Sequence, residues 1–312
     1  MTRVAHVLLL ALCLTIPSAL DAAARVPLDI FAADPEMGVP RMSPNGKHVA
    51  VPTRKGKVDQ VLVFEVNAPG STVVGLDIPK DVEVDWVDWA NNDRILIGAS
   101  KPASERWFGT TYDTSPSRVI AANRDGSDPK VLLTNARKLR SNLNLSGILH
   151  DLPEDPGAVL MAASDGDGRL SVFKVDINNG RTEIVRRGNV NTRVWMTDRQ
   201  GEPRVRIDYR PRRDRIEIYA NKAGSDNFEL IYEYNEREIP QFSIVGFTDD
   251  KDVAVALARR NGDRIGVYEY SLATKSLGKT LFEHATVDIG EPAGGPIYDP
   301  NNGKLVGIIY AV

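Results

Sequence analysis

The chain has 312 residues and a formal net charge of −3, with 42% of its residues apolar and 26% charged. That length holds one large all-β domain or two ordinary ones, and the apolar share excludes wholesale disorder. Basic and acidic residues are interleaved, so no basic face for nucleic acid is expected.

Arg3 precedes a run dominated by apolar residues from Val4 to Ile16, followed by Pro17, Ser18 and the small residues Ala22, Ala23 and Ala24. This pattern predicts a secretory signal peptide over residues 1–24, because the apolar core is too short to span a bilayer and the alanines suit a signal peptidase. Cys13, the only cysteine, lies inside that leader. The mature chain, residues 25–312, would have no disulfide, thiol nucleophile or cysteine metal site, and a periplasmic or secreted protein with no membrane contact after cleavage is expected.

Turn chemistry then recurs along the chain. Ser43-Pro44-Asn45-Gly46 is followed by Ala90-Asn91-Asn92-Asp93, Glu154-Asp155-Pro156-Gly157, Asp198-Arg199-Gln200-Gly201, Thr248-Asp249-Asp250-Lys251 and Asp299-Pro300-Asn301-Asn302-Gly303. Proline presets φ, Asn-Gly tolerates positive φ, and each turn precedes a β-rich run. From Asn45 through Asn92, Asp155, Gln200, Asp250 and Asn301 the intervals are 47, 63, 45, 50 and 51 residues, close to the length of a propeller blade.

Between these turns the period is two. "DRILIGA" (Asp93–Ala99), "PRVRIDY" (Pro203–Tyr209) and "DRIEIYA" (Asp214–Ala220) read as strands, and in the second Val205, Ile207 and Tyr209 share one face while Arg204, Arg206 and Asp208 share the other. "NRDGSDPK" (Asn123–Lys130), "DINNGRTE" (Asp176–Glu183) and "SLATKSLGK" (Ser271–Lys279) read as hairpin turns inside each unit. Each unit therefore holds about four short strands. No helical stripe of ten residues follows the leader, which excludes a doubly wound α/β domain. The predicted fold is an all-β propeller of about six to seven four-stranded blades. Two consecutive sandwiches are the weaker alternative, since no linker or composition break separates two halves.

Chemistry-bearing residues are sparse. His48, His150 and His284 have no partner at metal-ligand spacing, and His6 leaves with the leader. "LGKT" (Leu277–Thr280) lacks the first glycine of a phosphate loop, and "SDGDG" (Ser164–Gly168) continues with Arg169 where a calcium loop needs oxygen, so a solvated turn is expected there. No cofactor or metal is expected. Arg204, Arg206, Arg210, Arg212, Arg213 and Arg215 form the most unusual cluster. Arg204, Arg206 and Arg210 either line the channel or its rim, gating substrate by pairing with a peptide carboxylate, or lie on an exposed hairpin with Asp208, Asp214 and Glu217 as counter-ions; alternation places Arg204 and Arg206 outward. Trp86, Trp89, Trp107 and Trp195 read as packing between blades.

Three segments in order, "IFAADPEMGVPRMSPNGKHVAV" (Ile30–Val51), "VEVDWVDWANNDRILI" (Val82–Ile97) and "YDPNNGKLVGIIY" (Tyr298–Tyr310), resemble landmarks of the amino-terminal propeller in bacterial prolyl oligopeptidase family serine peptidases, the acylaminoacyl-peptidase-like group. The resemblance implies a cap that admits short peptides to a carboxy-terminal α/β-hydrolase domain with a Gly-x-Ser-x-Gly elbow. No Gly-x-Ser-x-Gly occurs in the sequence. The expectation is a truncated propeller without the catalytic domain, inert alone, with self-association at an open seam. A stand-alone periplasmic binding or scaffold propeller is the alternative.

Overall fold

The computed structural model describes residues 36–56, 58–68, 74–134, 142–260, 264–290, 294–299 and 302–311. The expected leader, with Cys13 and His6, lies outside them. Contacts divide the chain into Met1–Glu36 and Met37–Val312, and the second unit is described below. Among the described residues the only helical turn is the three-residue Pro211–Arg213, and no helix is long and apolar enough to cross a membrane.

The strands form successive antiparallel sheets in chain order. The first comprises β1 (Arg41–Met42), β2 (His48–Lys55), β3 (Val58–Glu65) and β4 (Val74–Asp77), each beside its sequence neighbour. The second contains β5 (Glu83–Trp89) and β6 (Arg94–Ser100), then a separate hairpin of β7 (Ala103–Trp107) and β8 (Thr110–Thr114). It resumes with β9 (Ser117–Asn123) and β10 (Lys130–Val131), and β11 (Asn144–Leu145) pairs parallel to β9. The third sheet has three strands, β12 (Ala158–Ser164), β13 (Leu170–Asp176) and β14 (Thr182–Arg186). Its missing first strand is replaced by a single bridge between His150 and Leu160. The fourth holds β15 (Thr192–Thr197), β16 (Pro203–Arg210), β17 (Arg215–Ala220) and β18 (Glu229–Asn235), and the fifth β19 (Phe242–Phe247), β20 (Val253–Arg259), β21 (Ile265–Ser271) and β22 (Ser276–Phe282). Among the described residues the sixth unit has two strands, β23 (Gly294–Tyr298) and β24 (Leu305–Tyr310).

The core is a series of seams between consecutive sheets. Val61, Val63, Val87, Trp89 and Ile95 fill the first, Leu96, Val119, Met161 and Phe173 the second, and Leu160, Val172 and Trp195 the third. Val205, Ile218, Phe242 and Tyr268 fill the fourth, and Val255, Val267 and Ile289, with Leu305 and Ile308, the fifth. Interior strands are covered on both faces to differing degrees, fully in β6 and on one face more than the other in β3 and β9, as radially packed blades require. The fold is an all-β propeller.

Polar contacts cross the same seams. The Trp89 and Trp195 indole N–H groups donate to the carbonyls of Arg41 (2.9 Å) and Leu170 (2.8 Å) in the preceding blades. Asp59, paired with Arg54, accepts from the Val84 amide at 2.7 Å, and buried Arg94 donates to the Ile177 carbonyl at 3.0 Å. These bonds satisfy polar groups that would otherwise be stranded between apolar faces. The tryptophan expectation holds for Trp86, Trp89 and Trp195. Trp107 stands instead in the separate hairpin.

Candidate functional site

The recurring turns connect the first and second strands of their sheets, so all of them come to one end of the ring. Local geometry explains their composition: Gly46, Gly201 and Gly303 sit at φ 70°, 84° and 64°, where a side chain is disfavoured. Neighbouring turns are joined across the seams. The Asn45 amide donates to Asn92 Oδ1 at 2.9 Å, Asn91 Nδ2 donates to the Pro156 carbonyl at 2.7 Å, and Gly201 backs onto Leu152 and His150. Arg199 ion-pairs with Asp249 of the fifth unit and donates to the Asn302 carbonyl of the sixth through Nε at 2.9 Å and Nη2 at 2.6 Å.

These turns frame a mouth made of two adjoining clefts. One, of about 600 Å³, is walled by Met42, Pro44, Trp89, Pro153 and Pro156; the other, of about 330 Å³, lies between Ile148, His150, Arg199 and Asn302. Asp88 and Asp151 line both. Asp88 comes from the first strand of the second blade. Asp151 follows the His150 bridge, where the lost first strand of the third blade frees the chain to enter the mouth.

Asp151 reaches solvent through the opening, but the walls of the mouth crowd its carboxyl. This desolvation, with the Asp88 charge as the lesser cause, pushes its pKa up to about 6. No described Lys or Arg pairs with either carboxylate. The His150 ring takes the Leu152 amide hydrogen on Nδ1 at 3.0 Å, and burial holds its pKa below the usual value despite the Arg199 backbone and Asp198. His150 is therefore neutral at pH 7, and the mouth carries a net negative charge when both aspartates ionise.

The arginines singled out by sequence lie elsewhere. Arg204 is wholly buried and not outward in solvent: it donates to Asp198 Oδ2 (3.0 Å), the Asn221 carbonyl (3.0 Å) and Asp252 Oδ1 (3.0 Å), with its guanidinium 5.3 Å from the Phe247 ring centre. Arg206 ion-pairs with Asp208 at 3.1 Å and lies over the Tyr219 ring at 4.7 Å. Arg210 pairs with Glu217 at 2.9 Å. Alternation separates the two faces of β16 correctly, but both are covered: Val205 packs on the fifth blade, Arg206 lies beside Trp195 and Phe228 on the face that meets the third, and Arg204 reaches Asp252 of the fifth. None of the three lines the two clefts.

The other motifs stand in structural settings. The "SDGDG" turn is solvated as expected, with Gly166 to Arg169 exposed, while Asp165 at its base is buried and accepts from the Asp167 and Arg169 amides and from Ser171 Oγ. "LGKT" lies in β22. His48 packs 6.2 Å from the Trp89 ring and His284 4.8 Å from that of Tyr310. Among the described residues no three His, Cys, Asp or Glu side chains are grouped to hold a metal ion. The sequence reasoning missed Asp88, Asp151 and Arg199 as a group; their signal was that each stands in or beside a recurring turn.

No protein-family model matches the sequence, and no curated protein matches it. Among solved structures, an oligogalacturonate lyase in complex with manganese is 12% identical with TM-score 0.51, over 84% of this chain and 70% of that one. TolB from Acinetobacter baumannii is 14% identical with TM-score 0.36, over 78% of this chain and 53% of that one. Prolyl oligopeptidase B from Galerina marginata is 10% identical with TM-score 0.48, over 88% of this chain, which spans 43% of that protein. At these identities the likeness is one of fold, and the lyase match agrees with the propeller read from the sheets.

Proposed function

We propose that the chain is a binding propeller that receives the positively charged end of a short peptide in the mouth framed by its blade turns. The carrying observation is the Asp88–Asp151 pair, without a described cationic partner, beside an apolar wall of Met42, Pro44, Trp89, Pro153 and Pro156. An ammonium group between the two carboxylates relieves their mutual repulsion, and the wall accepts the first side chain. The sequence resemblance supplies one setting, the substrate-gating propeller of an exported prolyl oligopeptidase-like serine peptidase whose hydrolase domain would do the cutting. The other setting is a stand-alone scaffold, and the cleft beside the Arg199 bridge from the fourth blade to Asn302 serves either.

Fluorescence anisotropy with labelled tripeptides, amino terminus free or acetylated, tests the binding site. The free form is expected to bind at pH 7, and Asp88→Asn or Asp151→Asn to weaken it about tenfold or more, as loss of a charge-assisted contact predicts. Equal binding of acetylated and free peptides overturns the reading.

A further inference from the structure

The hairpin of β7 and β8 interrupts the link between β6 and β9 at the end of β6 remote from the mouth. Its two strands pair with each other and with no other described strand. The Lys101 amide closes its root on the Pro116 carbonyl at 3.1 Å. A lone two-stranded hairpin in water is marginal and gains stability from further strands.

Its tip breaks a local rule. Phe108 and Gly109, at φ 49° and 86°, form the two-residue loop between Trp107 and Thr110. Such a loop favours Asn-Gly, because both positions need positive φ. A phenylalanine stands here instead, wholly exposed at the strained position. A wholly exposed aromatic residue that opposes its own turn points to a contact outside the chain.

The edge of β8 specifies that contact. Since the loop closes on Trp107 and Thr110, bonded pairs alternate along the hairpin, and the outward N–H and C=O groups of β8 belong to Thr111 and Asp113. Among the described residues these groups make no backbone hydrogen bond. Antiparallel pairing of β8 with a second β8 satisfies both residues in one register only, Thr111 opposite Asp113 and Tyr112 opposite Tyr112. That register also faces Thr110 with Thr114, and it sets no like charges opposite each other. The edge of β7 lacks this property: pairing Ser104 with Arg106 there would oppose Glu105 with Glu105. Extended by the same count, the β8 register places Phe108 of one copy opposite Pro116 at the root of the other.

We propose that two copies of this chain associate through β8, building a four-stranded sheet of β7, β8 and their symmetry mates, with each Phe108 seated on the Pro116 corner of its partner. The interface is isologous and closes on itself, so it yields dimers and not filaments. Its small size predicts a weak, micromolar association.

Sedimentation equilibrium of the purified chain over about 1–200 μM reads this directly. A reversible dimer is expected. Thr111→Pro removes an outward N–H without touching the β7 pairing and should abolish it. Phe108→Asn suits the turn better, so it should strengthen the hairpin yet weaken the dimer about tenfold or more, a combination that a purely structural role for Phe108 cannot give. Tyr112→Cys, in a Cys13→Ser background, should cross-link spontaneously, because that pair brings the two Cα atoms to about 4.5 Å, within disulfide reach. A monomer throughout the range, a dimer unmoved by Thr111→Pro or Phe108→Asn, or no cross-link through residue 112 overturns the proposal.

Discussion

Replacing Arg204 by alanine separates a seam pin from a surface arginine. The guanidinium is wholly buried and spans Asp198, Asn221 and Asp252. Removing one member of a buried pair costs about 3–5 kcal/mol, because the remaining charge is left without a partner. Two details place this case near the lower end. Asp198 keeps the Gln200 and Glu202 amides at 3.0 and 2.9 Å, and the Asp252 side chain is 40% exposed, so it regains water and its share is under about 1 kcal/mol. The Asn221 carbonyl, by contrast, loses its donors inside the seam.

The expected loss is therefore about 3 kcal/mol, read as a lower urea midpoint at unchanged slope and a melting point roughly 6–12 °C lower. Arg204→Met combined with Asp198→Asn should recover most of it, since an apolar or neutral replacement of a buried pair is often tolerated. Arg210→Ala, whose partner Glu217 is held by a half-exposed side chain, should lose under about 1 kcal/mol. If Arg204→Ala also loses under about 1 kcal/mol, the guanidinium is not a buried pin and the placement of β16 between two blades is wrong.

Asp151 sets a pH dependence. Its folded pKa of about 6 lies above the ordinary carboxylate value of 3.8, so between those values the folded chain holds the extra proton and stability falls as pH rises, levelling off above the folded pKa. Carbon-13 titration should find its midpoint near 6, and Asp88→Asn should lower it; a midpoint near 4 sinks the enclosed mouth. Gly98→Ala puts a methyl into the Trp86 indole across β5 and β6, and overpacking of this kind should cost about 1–3 kcal/mol in denaturant titration; a neutral result means the second blade packs differently. Arg199→Ala should speed amide hydrogen exchange in β24 while leaving β2 and β3 unchanged, and unaltered exchange in β24 shows that the contact with Asn302 does not hold the sixth unit.

The repeat was legible because turn chemistry is local. Asn45-Gly46, Gln200-Gly201 and Asn302-Gly303 each declare a positive φ within a few residues, without reference to the rest of the chain. Strand pairing followed from the same punctuation, as in β13 and β14 joined at Asp176–Glu183. Arg204 was not legible, because alternation names two faces of a strand and cannot say that both are covered; only the neighbouring blade decides that. The hairpin of β7 and β8 left a trace that passed as noise. The interval of 63 residues between Asn92 and Asp155 exceeds its neighbours by the length of an insertion, and Phe108-Gly109 was an unusual turn in the middle of it.

The third blade connects stability with the mouth. Its first strand is reduced to the bridge between His150 and Leu160; among the described residues the seam it shares with the fourth blade is thin, with Leu160, Val172 and Trp195, whereas the seam it shares with the second blade holds thirteen buried residues. Fully burying a large apolar side chain stabilises by about 1.5–3 kcal/mol, so a strand's worth of such residues is a substantial loss for the ring. What replaces it is chain free of ladder bonding from Asp151 to Pro156, and that stretch brings Asp151 and the proline wall into the cleft. Arg199, reaching from the fourth blade to Asp249 and Asn302, ties together turns beyond the same thin seam. The third blade thus gives up ladder pairing where the mouth is richest in polar groups, as expected when a scaffold yields a strand to present a binding surface.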